Sequence, residues 1–198
     1  MNEGYYKEIF DRYGGIMRAN QLDAEKVFYA KRQQLIKNGY VEKVRTGYYQ
    51  WVDPEEFSEI NTVKRLFPDA IFCMDTALIY YGYSDRIPRE WHVAVSKDSG
   101  KSRFRIDIPR VRAYYVEPSL LEIGLTTGEK DGHSLRIYDR ERVICDCLRY
   151  RKKMDREIFT KAIRTYVMDP QKNLHRLLEY AEQLRVKKIA TDLIDVWL

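Results

Sequence analysis

The sequence holds little of what a disulfide framework or a metal site requires. It has three cysteines, Cys73, Cys145 and Cys147, in 198 residues. An odd number argues against a disulfide framework, and the two neighbouring cysteines do not form a C-x-x-C pair. The three histidines are far apart in the sequence, so no metal-ligand spacing is present. We therefore interpret the cysteines as small buried residues in a reducing compartment, and we expect neither a metal nor another cofactor.

Long apolar runs are missing as well. No window approaches about 18 uninterrupted apolar residues, so the sequence predicts no membrane span. The first residues also lack the basic segment and the apolar run of a signal peptide. We expect a soluble, cytoplasmic protein without a membrane partner.

The motifs of the common enzyme classes are absent: there is no Gly-rich phosphate loop, no G-x-S-x-G and no H-E-x-x-H. A nucleotidyltransferase needs Gly-Ser followed by two carboxylates that hold Mg²⁺. The nearest match, Ser99-Gly100 followed by Asp107, lacks the second carboxylate. His92, alone on a predicted strand, is interpreted as structural. We expect no catalysis. A competing hypothesis is an enzyme that uses Asp107, Asp139 or Asp146.

Positive charge is concentrated in one stretch. The net charge is +5, and residues 26–51 carry six Lys or Arg against one acid, Glu42. The stretch predicts a helix with Phe28, Leu35 and Ile36 on its apolar face. It ends at Asn38-Gly39, and a two-stranded hairpin with strands at 40–44 and 48–52 follows. A local basic patch on a nearly neutral chain indicates a phosphate-rich partner, and a solvated helix face is the alternative.

The preceding residues predict a helix at 5–13, a brief edge strand at Ile16-Met17 that pairs with the later hairpin, and a second helix at 18–25. Helix, strand, helix, helix, strand, strand is the order of a winged helix-turn-helix, whose third helix enters the major groove. Gln pairs with adenine there, and Lys reaches phosphate or guanine. Arg32 falls where a packed helix favours an apolar residue, so we expect its charged head to extend outward. The predicted DNA-binding residues are Tyr29, Lys31, Arg32, Gln33, Gln34, Lys37, Lys43, Arg45 and Thr46.

The predicted fold class is α+β: an N-terminal winged helix-turn-helix, residues 1–53, followed by a C-terminal domain, residues 54–198, with a small mixed sheet and a helical C-terminal tail. Asp53 to Glu56 is the candidate boundary because Pro54 stops strand pairing. Strands are predicted at 91–96, 111–116, 120–125 and 135–138, with a polar loop at 126–133. The tail helices are predicted at roughly 140–151, 155–168, 173–184 and 186–197.

Two further groups of charged residues admit a structural and a functional interpretation. Arg142 and Asp146 lie one turn apart on a helix that Asp139 caps, an ion pair that contributes only ~0.3 kcal/mol if it is exposed. The other group contacts nucleic acid or an acidic protein, or else forms a solvated rim. Its members are Lys97, Lys101, Arg103, Arg105, Arg110 and Arg112.

Three segments together resemble the AbiEi family, the antitoxins of type IV toxin–antitoxin systems that act in abortive phage infection. The first is the predicted winged helix, which ends in Val-Arg-Thr-Gly-Tyr-Tyr at 44–49. The second is Asp-Thr-Ala-Leu-Ile-Tyr-Tyr-Gly-Tyr-Ser-Asp-Arg-Ile-Pro at 75–88, followed by the strand at 91–96. The third is Ile-Tyr-Asp-Arg-Glu-Arg-Val-Ile-Cys-Asp-Cys-Leu-Arg at 137–149, followed by 162–166 and 177–181. The three segments keep the order of the family, and the resemblance covers nearly the full length of the chain. Val143 occupies a position where the family often has Thr.

The resemblance implies a DNA-binding transcriptional autorepressor that binds inverted repeats of double-stranded DNA at its operon's promoter. It also implies an antitoxin that counteracts a nucleotidyltransferase toxin without forming a stable complex. Two copies would meet on the DNA, which is compatible with a monomer in solution or a weak dimer. The match makes Asp75, Tyr80, Arg142 and Asp146 candidates for an antitoxin surface. The competing hypothesis is a winged-helix module that interacts with protein or RNA and does not bind a promoter.

Overall fold

A computed structural model describes residues 3–52, 58–106 and 108–197 of the chain. Its contacts divide the chain into two compact units. The first comprises Met1–Leu66 with Arg105–Pro109, and the second comprises Phe67–Phe104 with Arg110–Leu198. The domain boundary predicted at residues 53–56, like Asp107, lies outside the described residues.

The first unit has the element order predicted from the sequence, followed by one more helix. Its elements are α1 (Glu3–Arg12), β1 (Ile16–Arg18), α2 (Ala19–Ala24), α3 (Tyr29–Lys37), β2 (Val41–Arg45), β3 (Tyr48–Trp51) and α4 (Glu59–Leu66). The sheet is antiparallel with the order β1-β3-β2. Ile16 pairs with Gln50 and Met17 with Tyr49, which confirms the predicted pairing of the edge strand with the hairpin.

The core of the first unit receives side chains from every element through β3. Each helix contributes apolar residues at helical spacing, and the strands contribute alternate residues. The buried members are Ile9, Phe10, Met17, Leu22, Val27, Leu35, Val41, Tyr49 and Trp51. The core therefore fixes α2 and α3 against the hairpin.

Helix α3 ends in a Schellman motif. The Tyr40 amide donates to the Leu35 carbonyl at 3.1 Å, and the Gly39 amide donates to the Ile36 carbonyl at 3.0 Å. Gly39 has a φ of 78°, a left-handed conformation that glycine adopts without a Cβ clash. The predicted helix stop at Asn38-Gly39 is confirmed.

Helix α2 ends in the same motif without a glycine. The Val27 amide donates to the Leu22 carbonyl at 2.8 Å, and the Lys26 amide donates to the Asp23 carbonyl at 3.0 Å. Lys26 takes the left-handed position with a φ of 60°. For an L-residue with a side chain this conformation costs about 1 kcal/mol, so the turn between the two helices holds backbone strain.

The second unit contains a five-stranded mixed sheet and a helical tail, which confirms the predicted α+β class. Its elements are β4 (Ile71–Phe72), α5 (Met74–Tyr80), β5 (Trp91–Ser96), a 3-10 helix (Lys101–Phe104), β6 (Val111–Val116), α6 (Pro118–Leu121), β7 (Leu125–Lys130), β8 (His133–Tyr138), α7 (Arg140–Tyr150), α8 (Arg156–Met168), α9 (Leu174–Gln183) and α10 (Lys187–Trp197). The strand order is β6-β5-β4-β8-β7. The β5–β6 and β4–β8 pairs are parallel, and the β4–β5 and β7–β8 pairs are antiparallel. Within the described ranges, no helix combines the length and the apolar character that crossing a bilayer requires.

One predicted strand and one predicted loop are wrong. The strand expected at 120–125 is replaced by the end of α6 and a turn, and the loop expected at 126–133 is the β7–β8 hairpin. β7 is an edge strand with few apolar residues, so it lacks the apolar alternation of a half-buried strand. Asp131 and Gly132, with φ of 52° and 73°, form its two-residue turn. This Asp-Gly pair is the sequence signal that predicts such a hairpin.

Helix α7 is the central helix of the second unit. Every side chain from Glu141 to Leu148 is buried, and the helix packs against α5, α8, α9 and α10. A helix that is buried on all sides belongs to the core. Because three of these buried residues are acidic or basic, they require polar or charged partners inside the core.

Candidate nucleic-acid interface

Helix α3 presents one polar stripe to solvent. Tyr29, Gln33 and Lys37 follow one another at intervals of four residues, and Ala30 and Gln34 lie beside them; all five are exposed. The opposite face carries Leu35 into the core. The exposed stripe offers two amides, one ammonium and one phenol, groups that contact bases and phosphates in protein–DNA interfaces.

The hairpin turn is fastened beside the helix pair. The Ala19 amide, at the start of α2, donates to the Gly47 carbonyl in the turn at 2.8 Å. Lys43 and Thr46 are exposed on the hairpin. The guanidinium of Arg45 lies 3.8 Å from the centroid of the Tyr48 ring, so the ring supports one of the predicted phosphate contacts.

Lys31 is held at the side of the stripe. Its Nζ donates to Gln34 Oε1 at 3.0 Å and lies 5.3 Å from the centroid of the Tyr6 ring of α1. The side chain is half-buried. It therefore orients Gln34 and places a positive charge next to the exposed amides.

Arg32 corrects the expectation that its charged head extends outward. The residue is 7% exposed. Its Nη1 donates to the Ala19 carbonyl at 2.9 Å, and its Nη2 lies 3.2 Å from Asp23 Oδ1. The guanidinium also lies 5.5 Å from the centroid of the Tyr49 ring. It holds α3 against α2 from within, and burial places it away from the exposed stripe.

Phe28 corrects a second expectation, because it lies outside the core. It is the N-cap residue of α3, with φ of −71° and ψ of 170°, and it is 60% exposed. Helical spacing does not apply to a residue whose backbone is extended, which is why the periodicity misplaced it. Its neighbour Tyr29 is 66% exposed. Two large aromatic side chains therefore stand together at the start of the polar stripe.

In the second unit, Arg142 and Asp146 form a buried ion pair, not an exposed one. Arg142 is 1% exposed, and its Nε donates to Asp146 Oδ1 at 3.1 Å. Its Nη1 donates to the carbonyls of Leu120 and Ile123, both at 2.7 Å. Burial raises the pKa of Asp146, and the guanidinium opposes that shift. Arg142 thus ties α7 to the segment that follows β6.

Two carboxylates at the start of α7 also have partners inside the unit. Asp139 accepts from the Arg142 amide at 2.9 Å, as the predicted cap, and from the Tyr180 hydroxyl at 3.1 Å. Glu141 accepts from the Asn173 amide at 2.8 Å and from the Tyr166 hydroxyl at 3.3 Å. Burial raises the pKa of Asp139 and, beside Glu141, that of Tyr166. These contacts join α7 to α8 and α9.

Asp75 and Tyr80 are more accessible than the ion pair. Both are half-buried. Asp75 lies in the first turn of α5, and its amide donates to His92 Nδ1 at 3.3 Å. The Tyr80 hydroxyl accepts from the Glu129 amide at 3.2 Å and rests against Gly128, where a Cβ would lie 2.7 Å from it. Of the four predicted antitoxin residues, these two reach solvent.

Arg142 and Asp146 line a small cavity together with Cys73, Tyr114 and Tyr150. Its volume is about 10 Å³, close to the space of one water molecule. A nucleotide or another small-molecule substrate needs a cavity of roughly 300 Å³ or more. The cavity therefore does not accommodate such a substrate.

Three of the six residues in the second basic group pair with acids. Lys97 lies 2.6 Å from Glu117, and Arg112 lies 3.5 Å from Glu90. Arg103 forms a two-pronged pair with Asp69. These pairs favour the interpretation as a solvated rim over that as a nucleic-acid contact.

No protein-family model matches the chain, and no curated protein matches it. The resemblance to the AbiEi family accordingly rests on the sequence motifs alone. The geometry of the two units therefore carries the functional argument.

Proposed function

We propose that the protein is a DNA-binding transcriptional autorepressor whose first unit is a winged helix-turn-helix. The observation that carries the proposal is the exposed stripe of α3, with the cations of the hairpin beside it. An α-helix fits the major groove, which is about 12 Å wide. The amides of Gln33 and Gln34 match adenine edges, and Lys37 and Lys43 match phosphates. The partner is double-stranded DNA at inverted repeats of the operon promoter.

The second half of the proposal is antitoxin activity without catalysis, and it follows the family resemblance. The functional partner is a nucleotidyltransferase toxin in the cytoplasm, with no stable complex. Asp75 and Tyr80 are the candidates for direct contact because they reach solvent. Arg142 and Asp146 would act indirectly, by shaping the unit. The engagement of Asp139 and Asp146 in internal bonds supports a role without catalysis.

Binding to the DNA upstream of the protein's own gene tests the first half. The double variant Lys37→Ala with Lys43→Ala removes two exposed cations without touching the core. We expect its affinity, measured by fluorescence anisotropy at 0.15 M salt, to fall roughly ten- to thirtyfold. A matched control, Lys152→Ala with Lys153→Ala, removes the same charge from the exposed turn after α7 and should retain most of the affinity.

Equal weakening by both double variants would show a nonspecific charge effect and would refute the assignment to α3 and the hairpin. Equal binding to upstream and scrambled duplexes would refute autorepression. Absence of DNA binding, together with a co-purifying protein or RNA, would favour the competing interaction module. For the antitoxin half, co-expression with a nucleotidyltransferase encoded by the neighbouring gene should restore growth, and failure to do so would refute it.

A further inference from the structure

The exposed stripe of α3 contains aromatic, amide and small side chains. At its start stand Phe28 and Tyr29, and along it stand Ala30, Gln33 and Gln34. The arginine of the helix, Arg32, points into the unit. Arginine is the side chain that most often reads guanine, so its burial removes guanine's commonest partner from this helix.

The remaining side chains match the features of A·T pairs. Glutamine amides pair with N6 and N7 of adenine, and apolar or aromatic groups contact the 5-methyl group of thymine. In helix-turn-helix proteins the N-terminal residues of the recognition helix contact base edges. Phe28 and Tyr29 occupy that end of α3. Burial of their exposed rings against a binding partner would be favourable through the hydrophobic effect.

Positive charge beside the two rings favours DNA as the partner that contacts them. Lys26 precedes them and is exposed, Lys37 ends the same helix, and Lys43 lies on the hairpin. A surface for a second protein chain would depend on apolar area, whereas this one surrounds two rings with amides and ammonium groups.

We propose that Phe28 and Tyr29 make the protein selective for A·T pairs by packing against thymine 5-methyl groups in the major groove. This inference rests on the proposed promoter binding, and it adds the base feature that is recognised. Gln33 and Gln34 read the adenine partners of the same pairs. The operator half-site facing the start of α3 therefore contains thymines whose methyl groups contribute to affinity.

The test compares upstream DNA with the same duplex in which deoxyuridine replaces thymidine. This replacement removes only the 5-methyl groups and keeps base pairing. Each contacted methyl group should contribute about fourfold in affinity. Loss of two of them should therefore weaken binding of the wild-type protein to the uracil duplex about sixteenfold. The double variant Phe28→Ala with Tyr29→Ala should bind both duplexes equally, with the affinity of wild type for the uracil duplex.

A control variant, Gln33→Ala, should bind more weakly but keep the wild-type preference for thymine. Both aromatic side chains are exposed, and unchanged urea unfolding of the double variant would verify that its fold is intact. Equal binding of wild type to the two duplexes would overturn the inference and leave promoter binding standing. A double variant that keeps the thymine preference would also overturn it, because the methyl contacts would belong to other residues. Absence of binding to either duplex would overturn promoter binding itself.

Discussion

The two units use charge in opposite ways. In the first unit Lys37 of α3 and Lys43 of the hairpin are exposed to solvent. In the second unit Arg142 and Asp146 of α7 are buried and bond to groups within that unit. An exposed charge contributes little to stability but attracts an ion of opposite sign, whereas a buried charge stabilises only while its partners are present.

Arg32 shows that the role of a charged side chain depends on its burial and not on the unit in which it lies. It lies in the first unit among exposed cations, yet it bonds to the Ala19 carbonyl and to Asp23 as Arg142 bonds in the second unit. Charged residues therefore fall into a buried group and an exposed group. Variants of buried charges should change stability, and variants of exposed charges should change binding.

The largest effect should follow from replacing Arg142. The Arg142→Met variant leaves Asp146 buried without a cation and leaves the Leu120 and Ile123 carbonyls without their donor. Removal of one partner of a buried ion pair costs about 3–5 kcal/mol. The free energy of unfolding, measured with urea, should therefore fall by that amount. The double variant that adds Asp146→Leu should recover a large part of the loss. If Arg142→Met is as stable as wild type, the buried pair has no structural role.

A smaller effect should come from the buried ring of His92. Burial, with Arg112 nearby, lowers its pKa to about 4, against an ordinary value of 6.5. Asp75, Glu90 and Tyr114 face it. The native state therefore disfavours the charged ring, and the stability present above pH 6.5 is lost as pH falls towards 4. The loss should be about 3 kcal/mol, at 1.36 kcal/mol per pKa unit.

Urea unfolding at pH 7 and at pH 4.5 measures the effect of His92. The His92→Asn variant keeps a polar side chain that does not titrate, so its unfolding free energy should fall less over this range. An identical fall in variant and wild type would assign the acid sensitivity to the carboxylates instead.

Replacement of Arg32 sharpens the comparison within one unit. Arg32→Met removes the bonds to the Ala19 carbonyl and to Asp23, at a cost of about 1–2 kcal/mol in the free energy of unfolding. Because its guanidinium is buried, the salt dependence of DNA binding should not change. A reduced salt dependence in this variant would mean that Arg32 reaches phosphate, contrary to its position in the fold.

The smallest effect should come from Lys26. Lys26→Gly relieves the left-handed strain at the end of α2 and should stabilise the protein by about 0.5–1 kcal/mol in thermal or urea unfolding. Gly39→Ala, at the equivalent position of α3, is the matched comparison and should destabilise by a similar amount. If both changes have the same sign, the backbone conformation does not control these turns.

The sequence predicted the first unit's element order because its helices and strands keep their periodicity and its turns contain Gly39 and Gly47. It predicted the tail helices for the same reason. The sequence did not predict which charged side chains are buried. The spacing of Arg142 and Asp146 indicated an ion pair, but whether such a pair is buried depends on neighbours that are distant in the sequence. Phe28 was misplaced because the helix begins one residue after it.

The dependence of promoter binding on salt tests the central claim most directly. For wild type, the logarithm of the dissociation constant should rise linearly with the logarithm of salt concentration, with a slope of about 0.9 per phosphate contact. The variant Lys37→Ala with Lys43→Ala should lower that slope by about 2 and leave urea unfolding unchanged. An unchanged slope in this variant would contradict the assignment of phosphate contacts to the exposed face of the first unit.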